Sequence, residues 1–232
     1  MFERIHVVGT GRAGGAIRSR LVERGVRVTD GRDPDPAAEM VLLCVPDQAV
    51  AEVASAVSIG PWVAHVSGAT HLAALDPHVR RFSVHPLQTL TRERGPEQLD
   101  GAWAAVTGES PEAITMGVEL AELIGLRPFV LADERRALYH AGAAMASNYL
   151  VTLRRAAGEL FGAADVPAEA LEPLMRRVIE NGFQLTGPIE RGDWETVERH
   201  RTAIAAEAPE LLEAYDTLAA LTAREAGTRA GG

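Results

Sequence analysis

The sequence predicts an α/β protein, with an N-terminal doubly wound parallel sheet followed by an all-helical C-terminal domain. Three observations carry this. Short β-rich apolar runs alternate with helical stretches through residue 131. One run, Met40-Val41-Leu42-Leu43-Cys44-Val45, is apolar throughout, as a strand covered on both faces of a parallel sheet must be. Beyond Asp133 no strand signal remains, only amphipathic helical periodicity broken by Pro and Gly.

Taken in order, Ile5–Val8 is the first strand and Ala16–Arg24 the first helix, ended by Gly25. Val26–Thr29 is a second strand and the run from Met40 a third. Gln48–Val57 is a helix and Trp62–Val66 a strand. Phe82–Val84 and Trp103–Val106 are two more strands. Pro111–Ile124 is a helix with Ser110 placed to cap it, and Pro128–Leu131 closes the alternation. Only the stretch from Asp30 to Glu39, with Pro34 and Pro36, leaves little room for a crossover helix. The helical part reads as Glu134–Gly162, Pro167–Asn181 with Asp165 near its start, Trp194–Glu207 and Pro209–Arg224, with a fraying tail from Ala226 to Gly232. The expected division is a domain over 1–131 and a helical domain over 132–232.

The chain has 232 residues and a formal net charge of −9. An acidic chain makes a poor nucleic-acid partner, because phosphate contacts need a basic face. No apolar run approaches the ~20 residues that cross a bilayer. The first residues read as a strand, not a secretory leader, and the single cysteine, Cys44, permits no internal disulfide. A cytoplasmic setting is therefore expected, with Cys44 an inert core residue. The sequence contains no lysine, so Schiff-base chemistry and lysine bases are excluded and proton transfer falls to His, Asp, Glu, Tyr, Cys or water.

Gly9-Thr10-Gly11-Arg12-Ala13-Gly14 fits G-x-G-x-x-G between the first strand and the first helix. The first glycine permits the tight turn, the second lets backbone approach a diphosphate, and the third lets helix and strand pack closely. This is a Rossmann-like dinucleotide loop, for which NADP or NAD is the expected cofactor. After the second strand, Asp30 is placed to take a ribose hydroxyl, favouring NAD, and Arg32 to pair with a 2′-phosphate, favouring NADP. The expectation leans slightly towards NADP.

Strand ends on the carboxyl side line the ligand crevice of such a sheet. Val45-Pro46-Asp47, Ser67-Gly68-Ala69 and His85-Pro86-Leu87 fall there. Val45 and Pro46 are expected beside the cofactor. Ser67 is placed to orient His85, which would exchange a proton with an alcohol or carbonyl oxygen. On the long helix His140, Ala144 and Asn148 share a face, flanked by Tyr139 and Ser147, and either line the crevice or pack a partner helix. Arg191 and Asp193 in the turn-rich 185–193 segment are read as an ion pair fixing that joint, or Arg191 as a carboxylate ligand. No metal site is expected.

With these segments the chain resembles the Rossmann-like proteins that carry a C-terminal helical domain of unknown function. The motifs are Val45-Pro46-Asp47, Ser67-Gly68-Ala69, His85-Pro86-Leu87-Gln88-Thr89, Tyr139-His140-Ala141 with Ser147-Asn148, and Leu185 to Asp193 followed by His200. The resemblance spans nearly the whole chain and implies an NAD(P)-dependent oxidoreductase without an assigned substrate. It is more distantly similar to prephenate dehydrogenase, pyrroline-carboxylate reductase, ketopantoate reductase and the hydroxyacid dehydrogenases, with a helical part like that of 6-phosphogluconate dehydrogenase. Prephenate dehydrogenases carry a comparable catalytic Ser and His-Pro pair, matching Ser67 and His85. Ketopantoate reductases and hydroxyacid dehydrogenases use a helix Lys with an Asn one turn on; Asn148 matches the Asn, but Ala144 stands at the Lys position. The catalytic expectation is thus His85, with Ser67, Asn148 and His140. Hydride would pass to or from a small carbonyl, imine or hydroxy acid. The alternative is a non-catalytic dinucleotide-binding sensor or assembly module on a degraded reductase scaffold. The Ala- and Leu-rich helices further predict a homodimer.

Overall fold

The computed structural model describes residues 2–229. A seven-stranded sheet has the order β2-β1-β3-β4-β5-β6-β7, from β1 (Arg4–Val8), β2 (Arg27–Asp30), β3 (Met40–Leu43), β4 (Trp62–His65), β5 (Arg81–Leu87), β6 (Trp103–Gly108) and β7 (Arg127–Val130). The helices are α1 (Arg12–Glu23), α2 (Val50–Ser55), α3 (Pro111–Leu123), α4 (Arg136–Ala163), α5 (Leu171–Glu180), α6 (Trp194–Glu207) and α7 (Leu212–Arg229). The chain divides into two compact units, Met1–Met145 and Ala146–Gly232.

In the first unit the sheet is covered on both faces. Met40 and Leu42 of β3 join one core with Ile17 and Leu21 of α1 and Leu120 of α3. Val41 and Leu43 join a second with Val50 and Ala54 of α2. Strand alternation delivers each set to its own face, so the uninterrupted apolar run of β3 is the signature of its central position. Each such fully buried aliphatic side chain contributes about 1.5–3 kcal/mol of transfer free energy. Ser110 accepts from Ala113 N at 3.1 Å and caps α3 as its position in the sequence requires.

Two features depart from an all-parallel doubly wound sheet. β5 and β6 pair antiparallel, because residues 88–102 fold back through one short 3-10 turn instead of a crossover helix; β6 and β7, joined by α3, are parallel again. The β2–β3 connection lacks a helix, as the two prolines foretold, and is held by a side chain instead. His6 of β1, 1% exposed, accepts at Nδ1 from Asp35 N (3.3 Å) and donates from Nε2 to the Gly31 carbonyl (3.3 Å).

In the second unit Asp193 accepts from Thr196 N at 3.1 Å and caps α6. The expected Arg191–Asp193 ion pair is not formed, because that carboxylate is taken by the helix terminus. Arg201 instead bonds Asp216 at 2.7 Å and joins α6 to α7. Four helices begin later than expected, each with a 3-10 turn first (Asp47–Ala49, Asp133–Arg135, Ala168–Ala170, Pro209–Leu211). α7 runs to Arg229; Met1 and residues 230–232, the end of the tail expected to fray, lie outside the described residues. Among the described residues no helix is long and apolar enough to cross a membrane.

A Cβ on Gly14 would sit 1.9 Å from the Gly9 carbonyl oxygen and 2.9 Å from Cys44 Cβ. Gly14→Ala is therefore expected to destabilise the fold by at least ~1–3 kcal/mol. Urea unfolding of the variant beside the parent measures this.

Candidate functional site

The glycine loop joins β1 to α1 as the motif requires. Gly9 has φ +96°, a left-handed conformation, and a Cβ there would lie 2.5 Å from the Cys44 carbonyl oxygen. Gly14 is buried where α1 presses on the loop. Gly11, at the N-cap of α1, differs: a Cβ built on it meets nothing within 4 Å. The first and third glycines are thus needed by the fold itself, whereas the second faces open space at a helix N-terminus, which favours negative charge. Thr10 and Arg12 are exposed beside it and Ala13 is half-buried. Val45 and Pro46 follow β3 at the same end of the sheet, and Val45 Cγ1 lies 3.2 Å from the Gly9 Cβ position. These residues fit a dinucleotide diphosphate. Burial pushes the Cys44 thiol up to about 12, so it stays protonated.

At the end of β2, Asp30 Oδ2 accepts from Arg18 Nε at 2.5 Å. The carboxylate expected to read a ribose is therefore already engaged by a cation from α1. Arg32 is exposed in the following loop.

The proton-transfer candidates converge at the ends of β4 and β5 and the start of α4. His85 lies with its Nδ1 2.7 Å from Tyr139 Oη and its ring 6.1 Å from that of His140. Gly68 sits against both imidazoles; a Cβ on it would fall 2.8 Å from His85 Nε2 and from His140 Cδ2. Ser67 does not hold His85 as expected. Its Oγ accepts from Ala69 N (3.2 Å) and Thr70 N (3.0 Å) and donates to Thr70 Oγ1 (2.8 Å), so the hydroxyl is consumed in turning its own loop. The residue that engages the ring is Tyr139, for which the sequence offered only its place beside His140.

Arg136, which the sequence reading passed over, is fully buried. Its Nη1 donates to the carbonyls of Ser67 (3.0 Å) and Gly68 (3.4 Å), and its Nε to Asp133 Oδ1 (2.8 Å). Asp133 also accepts from Leu72 N at 3.2 Å and lies 3.0 Å from His71 Nδ1. One ion pair therefore fastens the 67–72 loop to the first turn of α4, which carries Tyr139 and His140. The i, i+3 spacing of Asp133 and Arg136 was the available signal.

Burial, then His140 and Arg136, lowers His85 to about 4. Burial, then Arg136, lowers His65 on β4 to about 3. Tyr139 is raised by burial to about 12. At neutral pH the site thus holds two neutral imidazoles and an intact phenol around one buried guanidinium. Asn148 lies on α4 within the second unit, its Oδ1 accepting from Ser147 Oγ at 3.1 Å. Among the described residues no group of three His, Cys, Asp or Glu is placed to hold a metal ion.

The model of a domain of unknown function, DUF2520, matches residues 102–222, just over half of the chain. No curated protein matches the sequence. Among solved structures, a protein from Thermotoga maritima superposes with a TM-score of 0.81 at 23% identity, covering 98% of this chain and 100% of that one. A proposed NADP oxidoreductase from Bacteroides fragilis gives 0.80 at 18%, covering 96% and 98%. The prephenate dehydrogenase of A. aeolicus, in complex with hydroxyphenyl propionate and NAD+, gives 0.53 at 16%, covering 97% and 98%. At these identities the likeness establishes a Rossmann-like α/β fold with a C-terminal helical region.

The neutral imidazoles make stability depend on pH. Unfolded, His65 and His85 take up a proton near 6.5; folded, only near 3 and 4. The unfolded chain binds more protons between these values, so stability is full above about 6.5 and is lost as pH falls towards 4. Chemical denaturation at pH 7 and pH 5 is expected to give a lower midpoint at pH 5, with the difference reduced in His65→Gln.

Proposed function

The chain belongs to the family of the domain of unknown function DUF2520, and from that premise we propose that it is an NAD(P)-dependent oxidoreductase acting on a small carbonyl, imine or hydroxy acid, ketopantoate among the candidates. The observation that carries this is the glycine loop, in which the first and third glycines are locked by packing while the second, Gly11, is left open at the start of α1. The pair of His85 and Tyr139 at the carboxyl end of the sheet supports a catalytic reading over a sensor. We assign residues 1–131 to the dinucleotide and 132–232 to substrate and dimerisation.

A bound nicotinamide would supply or accept the hydride; the residues of the chain handle the proton. With Nδ1–H donating to Tyr139 Oη, His85 presents the Nε2 lone pair on the side of Gly68 and His140. Neutral at physiological pH, it takes the proton of a substrate hydroxyl during oxidation. The oxidation rate is expected to fall as pH drops towards about 4, where His85 becomes charged. Ser67 shapes the 67–70 turn and keeps Gly68 against the imidazoles.

The cofactor preference we propose is NADP. Arg18 engages Asp30, while Arg32 has no partner among the described residues and is available to a 2′-phosphate. We also propose a homodimer. The apolar face of α5 (Leu174, Val178, Ile179) is 45–60% exposed, and Tyr149 and Val151 of α4 are more than half exposed. Arg154 and Glu172 flank an apolar groove of about 520 Å³ between the two helices.

Screening 2-keto, 2-hydroxy and imino acids with both cofactors tests the activity. On any substrate found, His85→Asn is expected to lower turnover ~10²–10⁴-fold with cofactor affinity nearly unchanged. If His140→Asn is the crippling change and His85→Asn is nearly silent, the proton belongs to His140. Sedimentation velocity is expected to show a dimer at micromolar concentration; a monomer removes the proposed interface.

A further inference from the structure

The loop from Thr91 to Pro96, between β5 and β6, is built around one side chain. Gln98 is 4% exposed, and its Nε2 donates to the carbonyls of Arg94 (2.8 Å), Gly95 (2.9 Å) and Thr91 (3.2 Å). Its Oε1 accepts from Thr91 N at 2.8 Å. Glu97 holds Gly95 N at 3.0 Å, and Arg20 of α1 donates to the Pro96 carbonyl at 2.8 Å. A connection without a regular helix is thus held rigid and fastened to α1 by groups buried beneath it.

This loop carries Arg92 and Arg94. Both line a cavity of about 250 Å³ whose opposite wall is the glycine loop, Gly11 and Arg12, and the next turn of α1. No carboxylate lines the cavity. The acids of the loop lie outside this lining: Glu97 accepts from Gly95 N and pairs with Arg94 at 4.0 Å, and Glu93, fully exposed, bonds its own backbone and the Thr91 side chain and attracts Arg92. In a chain of net charge −9, three guanidinium groups gather at one small cavity beside an open helix N-terminus. Like charges held together on fixed backbone cost free energy that a bound anion offsets.

We propose that Arg92 and Arg94, with Arg12, form the second wall of the site for the dinucleotide's diphosphate. The β5–β6 loop then clasps the phosphates that the glycine loop cradles. This inference rests on the oxidoreductase reading above and adds residues that the glycine motif does not contain. The chemistry required is that of a diphosphate, bound by charge-assisted hydrogen bonds from guanidinium forks. Because the diphosphate is common to both cofactors, the clasp does not distinguish NADPH from NADH.

Fluorescence titration of NADPH and NADH tests it on the parent chain, Arg92→Ala/Arg94→Ala and Arg92→Lys/Arg94→Lys. Both arginines are exposed, so all three proteins are expected to melt alike. The alanine pair is expected to weaken both cofactors ~10–100-fold and to flatten the salt dependence, with the lysine pair in between. Inorganic pyrophosphate is expected to displace NADPH from the parent. Affinity within about twofold of the parent overturns the clasp and leaves the oxidoreductase reading standing, as does displacement by pyrophosphate that is equally effective in the alanine variant. A loss confined to NADPH places the arginines at the 2′-phosphate and overturns it as stated. A parent chain that binds neither dinucleotide overturns the oxidoreductase reading, and the clasp with it.

Discussion

The 2.7 Å hydrogen bond between His85 and Tyr139 is the interaction on which the rest of the site depends. It joins the end of a sheet strand to the first turns of a long helix, across 54 positions of sequence. Beside it lies a fully buried guanidinium. Arg136 and Asp133 fasten the Ser67–Leu72 loop to the same turn, and that loop brings Gly68 flat against both imidazoles. A side chain at position 68 has nowhere to go. The outcome is an imidazole with one nitrogen fixed and the other presented on a shelf of backbone.

Electrostatics follow from the same packing. A guanidinium that is entirely buried, with one carboxylate partner, disfavours any second cation nearby, and burial already penalises charge on His65 and His85. The two imidazoles are therefore neutral at physiological pH. In the proposed reaction this suits His85 to accept a proton.

Much of the fold was legible because its signals are local. The apolar run of β3, the Ser110 cap and the strand–glycine loop–helix order each depend on a few adjacent residues, and each stands where the sequence placed it. The missing β2–β3 helix was legible too, from Pro34 and Pro36. Strand direction was not, since an apolar strand reads the same both ways; only the returning 88–102 connection makes β6 antiparallel to β5. Within the site, His85 was visible as a histidine at a strand end, but its partner was not. Ser67 looked the better candidate, yet two backbone amides within three residues outcompete a distant ring for its hydroxyl. Arg136 offered only its i, i+3 spacing from Asp133, since an arginine in a charged helix start otherwise reads as solvated and its burial is decided by tertiary packing.

The central claim is that the glycine loop and the His85–Tyr139 pair serve one reaction centre. A crystal structure of the chain grown with NADPH tests this most directly. The account predicts the diphosphate over Gly11 at the start of α1 and the nicotinamide ring directed to the carboxyl end of β5, beside His85 Nε2. A nucleotide lodged on the glycine loop with its nicotinamide turned away from His85, or bound elsewhere on the molecule, would contradict it.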